Sequence, residues 1–309
     1  MKILLSGANG FLGSQILKSC ELRTLDVLAC ARDADISKPG WAKTPSLDPT
    51  SEWGEFFSGI DVVIHAAAIA HRVGKNSTDY YQQLQNANIQ GTLNLARQAA
   101  AAGIRRFIFI SSIGVNGSIN TRPFTVSDRP NPAEPYAQSK WEAEQGLWKI
   151  QLETGMELVI IRAPLVYGPE APGNFGSLVR WIDRGIPLPL GAIHNKRSLV
   201  GIDNLVDLIV RCIDHPAAAN RVLLAGDGED LSTTELLRAV GQAMGKPARL
   251  IPVPTVMLQC GAALLGKKAM AQRLVGSLQV DITQTCELLD WKPPYTVEEG
   301  LRRCFLPVD

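Results

Sequence analysis

Short apolar runs recur through the first half of the chain, each separated from the next by a stretch of helical character. Ile3-Leu4-Leu5, Val27-Leu28-Ala29, Val62-Val63-Ile64, Phe107-Ile108-Phe109-Ile110 and Leu158-Val159-Ile160-Ile161 predict strands near 2–6, 26–31, 61–66, 107–111 and 158–162. The segments between them predict helices near 11–19, 51–58, 78–102 and 133–154. Repeated β-α alternation of this kind builds a parallel sheet covered on both faces, an α/β architecture. After Gly168 the pattern turns irregular, with Pro169, Pro172, Pro187 and Pro189 among glycines, and a second lobe is expected to begin there. The chain then returns through 199–202 and a helix over 204–214, adds a strand over 221–225, and ends in the second lobe. The expected division is a first domain of 1–167 plus about 199–225, with about 168–198 and 226–309 forming the smaller lobe. The apolar stretch Val256 to Leu265 falls short of the ~20 residues that span a bilayer. It reads as a buried helix of the second lobe, with contact at a membrane surface as the alternative and no stable membrane insertion.

A chain of 309 residues is long enough for a large core and two lobes. Its net charge of +1 leaves no basic footprint, so no nucleic-acid partner is expected. Cys20, Cys30, Cys212, Cys260, Cys286 and Cys304 are scattered without metal-ligand spacing, which suits reduced thiols in a cytoplasmic protein and no metal site. Met1 leads directly into the first strand, so no signal peptide is expected.

Candidate chemistry is concentrated in two motifs. Gly7-Ala8-Asn9-Gly10-Phe11-Leu12-Gly13 joins the first strand to the first helix, the context a phosphate cradle needs. Gly7 suits positive φ in the tight turn, Gly10 lets backbone approach a pyrophosphate, and Gly13 lets the helix pack closely. The spacing by itself also suits an ordinary glycine turn. Tyr136 and Lys140 stand four apart in Ala133 to Leu152 and share one helix face. A phenol with a pKa of ~10 is a poor acid or base at neutral pH, and an ammonium beside it favours the phenolate. Some twenty residues earlier, Ser111-Ser112 ends an apolar strand, where a hydroxyl can face the ligand crevice.

With these motifs the chain resembles the extended short-chain dehydrogenase/reductase family, in its nucleotide-sugar epimerase, dehydratase and reductase branch. Nearly the whole length shares in the resemblance. It includes Asp61 to Ala68, Asn88-Ile89-Gln90-Gly91-Thr92, Arg162-Ala163-Pro164-Leu165-Val166-Tyr167-Gly168-Pro169, Arg197-Ser198-Leu199-Val200, Leu289-Asp290-Trp291-Lys292-Pro293-Pro294 and Glu298-Glu299-Gly300-Leu301. It implies a Rossmann-type doubly wound parallel sheet with a smaller C-terminal substrate lobe. A homodimer through the helices near 78–102 and 133–154 is also implied.

The same resemblance implies the site. Tyr136 is the proton donor or acceptor, Lys140 lowers its pKa and binds the nicotinamide ribose, and Ser112 bonds the reacting oxygen. Ser112 is preferred to Ser111 by counting back from Gly117 in the family's serine-to-glycine segment. Gly7, Asn9, Gly10, Phe11, Leu12, Gly13, Ala66, Ala67, Ala68, Asn88 and Pro164 join Tyr136 and Lys140 around the dinucleotide, and Asp48 falls near the adenine. Relatives that use NAD place an acid at the end of the second strand, where this chain has Ala31 followed by Arg32. A guanidinium without that carboxylate favours the 2′-phosphate, so NADP(H) is expected, with NAD(H) the alternative. Arg197 matches the arginine that grips the nucleotide diphosphate, and Asn174 a substrate contact. His65 reads as structural; His71 reads as touching the sugar.

Departures from the family pattern narrow the reaction. Arg162 to Leu165 lacks the usual asparagine of the RxxN segment, and Asn116 stands where a tyrosine is common. Ile113 follows Ser112 where a dehydratase carries a glutamate. The Ser-Ser-Ile-x-Val-Asn-Gly form resembles a subgroup of surface-polysaccharide synthesis. Its members reduce UDP-4-keto-6-deoxy-N-acetylhexosamines to UDP-N-acetylquinovosamine (UDP-QuiNAc) or UDP-N-acetylfucosamine (UDP-FucNAc). An NADPH-dependent reductase at C4 is therefore the leading expectation. A UDP-hexose or UDP-HexNAc 4-epimerase with tightly held NAD is the alternative. A non-catalytic NmrA-like dinucleotide sensor is a third reading, set against the intact Tyr136 and Lys140 pair.

Overall fold

The computed structural model describes residues 1–70, 78–264, 266 and 268–306, with side chains left undescribed for 268–270. The first half runs β1 (Lys2–Ser6), α1 (Phe11–Leu22), β2 (Asp26–Ala31), β3 (Trp41–Lys43), β4 (Val62–His65), α2 (Thr78–Gln83), α3 (Thr92–Ala101), β5 (Arg106–Ser112), α4 (Pro135–Thr154) and β6 (Glu157–Ala163). The second half runs β7 (Leu165–Tyr167), α5 (Gly173–Asp183), β8 (Arg197–Gly201), α6 (Ile202–Arg211), β9 (Arg221–Leu224), β10 (Asp230–Leu231), α7 (Thr233–Ala243), α8 (Thr255–Leu264), α9 (Lys268–Val275), α10 (Thr283–Leu289) and α11 (Val297–Arg303).

Seven strands form one sheet in the order β3-β2-β1-β4-β5-β6-β9, with every pairing parallel. This is the Rossmann-type sheet. The apolar runs are continuous because alternate residues feed two separate cores. Ile3, Leu5, Val62, Ile64, Ile108, Val159 and Ile161 point to the layer of α1 and α6. Leu4, Val63, Phe107, Phe109, Leu158 and Ile160 point to the layer of α3 and α4. Each such side chain, fully removed from water, contributes roughly 1.5–3 kcal/mol. Gly146 brings α4 close to α3, because a Cβ there would meet the Leu93 side chain at 2.5 Å.

Parallel pairing fixes where the site falls. Ser6 lies beside His65 and His65 beside Phe109, so the segments that leave β1, β4 and β5 emerge at one sheet edge. The strand order reverses between β1 and β4, which opens a crevice at that edge.

Several local expectations differ from the structure. Instead of a helix over 51–58 there is a single 3₁₀ turn, Gly54–Phe57. The long helix over 78–102 is interrupted by a π-helical stretch, Leu84–Gly91, which carries Asn88. The three-residue strand β3 at the sheet edge is too short to leave a pattern. β8 pairs with β7 and β10 in a separate three-stranded sheet rather than with the main one. Most different is α8: none of its residues is buried, where the apolar sequence predicted a covered helix. Among the described residues, no helix is long and apolar enough to cross a membrane.

Candidate active site

The glycine turn is shaped by three separate constraints. Gly7 has φ +77°, and a Cβ on it would stand 2.8 Å from the Ala67 backbone, so the turn and the segment after β4 touch. A Cβ on Gly13 would fall 2.0 Å from the Gly7 carbonyl oxygen, so α1 packs on the turn itself. Gly10 donates its N–H to Gly7 O at 2.9 Å and caps α1 without a side-chain hydrogen bond. No acidic residue lies in the first turn of α1. Its leading N–H groups therefore have no side-chain anion and suit a pyrophosphate. Asn9 is exposed beside them, Leu12 packs into the core, and Phe11 packs at the junction with the smaller lobe.

Around this turn the remaining candidates are arranged by the loops that follow each strand. Ala66 to Ala68 leave β4, with Ala66 N–H donating to Ser6 O at 3.2 Å. Pro164 is buried between β6 and β7. Ala31 ends β2 buried, whereas Arg32 is exposed and has no hydrogen bond or ion pair among the described residues. Asp48 lies in the loop beyond β3, where its Oδ1 accepts from the Thr50 N–H and hydroxyl, each at 2.9 Å. Those hydrogen bonds hold its carboxyl below the usual range.

Tyr136 and Lys140 project from the first turns of α4, and Ser112 comes from the end of β5. Ser111 is buried and donates to Glu144 at 2.5 Å, whereas Ser112 is partly exposed and accepts from Gly114 N–H at 3.1 Å. Only Ser112 is thus free of the buried network. Lys140 is buried, with Nζ donating to the Ile110 carbonyl at 2.9 Å and lying 6.0 Å from the centre of the Tyr136 ring. Burial pushes this ammonium down to about 7, against the pull of the Glu144 carboxylate. The Tyr136 phenol is not lowered by its neighbours. Burial, with the Tyr80 phenol adding to it, pushes Tyr136 up to about 12, while the Lys140 ammonium is turned towards β5.

Behind this pair lies a polar network that the sequence reading did not single out. Arg162 donates to Glu144 through Nε and Nη2, the latter at 2.6 Å, and through Nη1 to Asn116 Oδ1 at 2.9 Å. Tyr136, Lys140 and Glu144 recur every four residues, a spacing that would have identified the carboxylate. Asn88 uses both ends of its amide on the Ile69 backbone, at 2.8 and 3.0 Å, and also donates to Ser139 at 3.1 Å. It thereby ties the segment after β4 to α4.

His65 is fully buried, with Nδ1 2.6 Å from Ser6 Oγ and Nε2 3.0 Å from Thr92 Oγ1. Burial, helped by the Lys140 charge, pushes it down to about 3. It is a neutral packing group, as the sequence suggested. His71 lies outside the described residues.

Of the two residues expected to contact substrate, Arg197 donates from Nη1 to the carbonyls of Arg273 and Gly276, at 2.8 and 3.0 Å. Burial, followed by the charge of Arg273, lowers its pKa. Arg273 pairs with Glu134, which caps α4 two residues before Tyr136. No local pattern could have found Arg273, since only the fold brings α9 to the start of α4. Asn174 is exposed in the first turn of α5.

Residues 3–226 match the model of the NAD dependent epimerase/dehydratase family. The UDP-glucose 4-epimerase of Vibrio cholerae is 42% identical over 306 residues, covering 97% of this chain and 93% of that protein. The N-acetyl-alpha-D-glucosaminyl-diphospho-ditrans,octacis-undecaprenol 4-epimerase of Escherichia coli O157:H7 is 28% identical over 97% of this chain and 93% of its own. The solved UDP-glucuronic acid 4-epimerase of Bacillus cereus, in complex with UDP-glucuronic acid and NAD, superposes with a TM-score of 0.80. It is 21% identical, with 99% of this chain and 98% of that one covered.

Proposed function

This chain belongs to the NAD-dependent epimerase/dehydratase family, and on that footing we propose that it moves a hydride at C4 of a UDP-linked sugar. The observation that supports the reading is that the helix carrying Tyr136 and Lys140 is tied through the Lys140–Ile110 hydrogen bond to β5, which ends in Ser112 and lies in the sheet that also bears the glycine turn. A bound nicotinamide supplies or accepts the hydride. Ser112 bonds the reacting oxygen, Tyr136 exchanges its proton with that oxygen, and Lys140 anchors the cofactor ribose.

The finer reading is NADPH-dependent reduction of a UDP-4-keto-6-deoxy-N-acetylhexosamine to UDP-QuiNAc or UDP-FucNAc. Reduction of a ketone needs a proton donor, and a phenol held near 12 is protonated at neutral pH. Arg32, just past β2 where a 2′-phosphate would be bound, is a cation without a partner among the described residues. The 42% identity to the Vibrio cholerae enzyme favours a second reading, a UDP-sugar 4-epimerase that keeps NAD through each turnover.

One preparation tests both. The purified protein is analysed by mass for retained nucleotide, titrated with NADPH and NADH by fluorescence, and assayed with UDP-4-keto-6-deoxy-GlcNAc. An empty site, a preference for NADPH and consumption of NADPH by the keto-sugar are the expected results. Retained NAD, with C4 inversion of UDP-glucose or UDP-GlcNAc and no added cofactor, supports the epimerase instead. No turnover of any 4-keto or 4-hydroxy UDP-sugar overturns both.

A further inference from the structure

Helix α8 presents its apolar side to solvent. Val256, Met257, Cys260, Ala263 and Leu264 recur at the spacing of one helix stripe, and all five are exposed. Val256 is 68%, Met257 65% and Leu264 89% accessible. The inner side is held by Leu258, which packs on the core of the smaller lobe. Ile251 and Ile186 extend the exposed surface, since the segments that carry them are paired through Leu188 and Leu250.

Charge is segregated along the same segment of the chain. Between Leu236 and Val280 the chain has six of its 31 Lys and Arg and none of its 30 Asp and Glu, so this segment is +6 and the remainder −5. Arg238, Lys246 and Arg249 are exposed, with Lys246 paired to Asp183. In the sequence, Lys267 and Lys268 come three and four positions after the last residue of α8. An apolar stripe on a segment that has cations and no acid of its own is complementary to an anionic bilayer surface. A second copy of the chain fits poorly, because a two-fold contact would set this positive segment against itself. At about 1.5 Å per residue, the ten residues of α8 reach half of a ~30 Å hydrocarbon core, so the helix lies along the surface.

We propose that α8 is an interfacial helix that seats the smaller lobe on an anionic phospholipid surface, with its apolar stripe in the headgroup boundary and cations of its acid-free segment on the lipid phosphates. α8 packs on α9, whose Arg273 pairs with Glu134 at the start of the Tyr136 helix. Docking therefore places the substrate side of the crevice next to the bilayer. This surface is independent of the reaction proposed above, and its test does not use turnover.

The test is co-flotation of the whole protein with vesicles of phosphatidylcholine alone or with about one-third phosphatidylglycerol. Expected are flotation with the anionic vesicles, its loss in high salt, and a blue shift of a polarity-sensitive dye on exposed Cys260. Val256→Glu/Met257→Glu/Leu264→Glu is expected to weaken partitioning at least about tenfold while circular dichroism stays unchanged, because these side chains are already in solvent. Should the triple variant misfold, Leu264→Glu alone is expected to reduce flotation in the same direction. Failure of the wild type to float overturns the proposal, as does equal flotation of a folded triple variant. A wild-type dimer that the triple variant converts to monomer, without vesicle binding, overturns it in favour of a second copy on this face.

Discussion

Substituting Glu144 with Gln removes one charge from a pair that has almost no access to water. The Arg162 side chain is 4% and the Glu144 side chain 0% exposed, and Ser111 and Asn116 complete the network. A Gln keeps the shape but leaves the guanidinium uncompensated, which costs about 3–5 kcal/mol for a buried pair. With an unfolding entropy of about 2.1 cal/mol/K per residue, a 309-residue chain loses about 5–8 °C in Tm. The assay is thermal unfolding by circular dichroism of wild type, Glu144→Gln, Arg162→Met and the double variant Glu144→Met/Arg162→Met. The double variant should recover most of the loss, because replacing both charges by apolar groups leaves nothing unpaired. Glu298→Gln is the control: its partner Arg302 is 61% and Glu298 75% exposed, so the change should be within about 0.5 kcal/mol. A Glu144→Gln midpoint within about 1 °C of wild type, or a double variant as unstable as the two singles together, would refute the reasoning.

Three further outcomes are expected. Tyr136→Phe should lower turnover by about 10²–10⁴-fold while dinucleotide binding, read by fluorescence, is unchanged; retained turnover would remove Tyr136 from the chemistry. Gly13→Ala places a Cβ against the Gly7 carbonyl at 2.0 Å, an overpacking of about 1–3 kcal/mol that should weaken dinucleotide binding about 10–100-fold. Gly54→Ala, which meets open space, should bind normally. Lys140 is held near 7 in the folded protein and returns to 10.5 when unfolded, so the unfolded chain binds more protons between these values and stability rises with pH. The buried thiols of Cys30 and Cys212, raised from 9.0 to about 12, reverse this trend above pH 9. Between pH 7 and 9 the wild type should therefore gain about 2 kcal/mol, and a Lys140→Met protein should not.

Elements whose signal is local could be read directly from residue order. Continuous apolar runs marked the central strands, because residues buried on both faces of a parallel sheet leave no polar alternation. Gly7, Gly10 and Gly13 were legible from backbone geometry, and Tyr136 with Lys140 from helical spacing. Other features depended on what lies far away in the chain. The π-helical break at Asn88 exists where the amide meets the Ile69 backbone, and β3 survives at three residues because β2 supplies its hydrogen bonds. Long-range packing commits Ser111 but not Ser112 to Glu144, turns Lys140 towards Ile110, and brings Arg273 to Glu134. The exposure of α8 is of the same kind, because an apolar helix looks the same in sequence whether or not a neighbour covers it. Periodicity is written along the chain, whereas burial and charge pairing are set by partners from other elements.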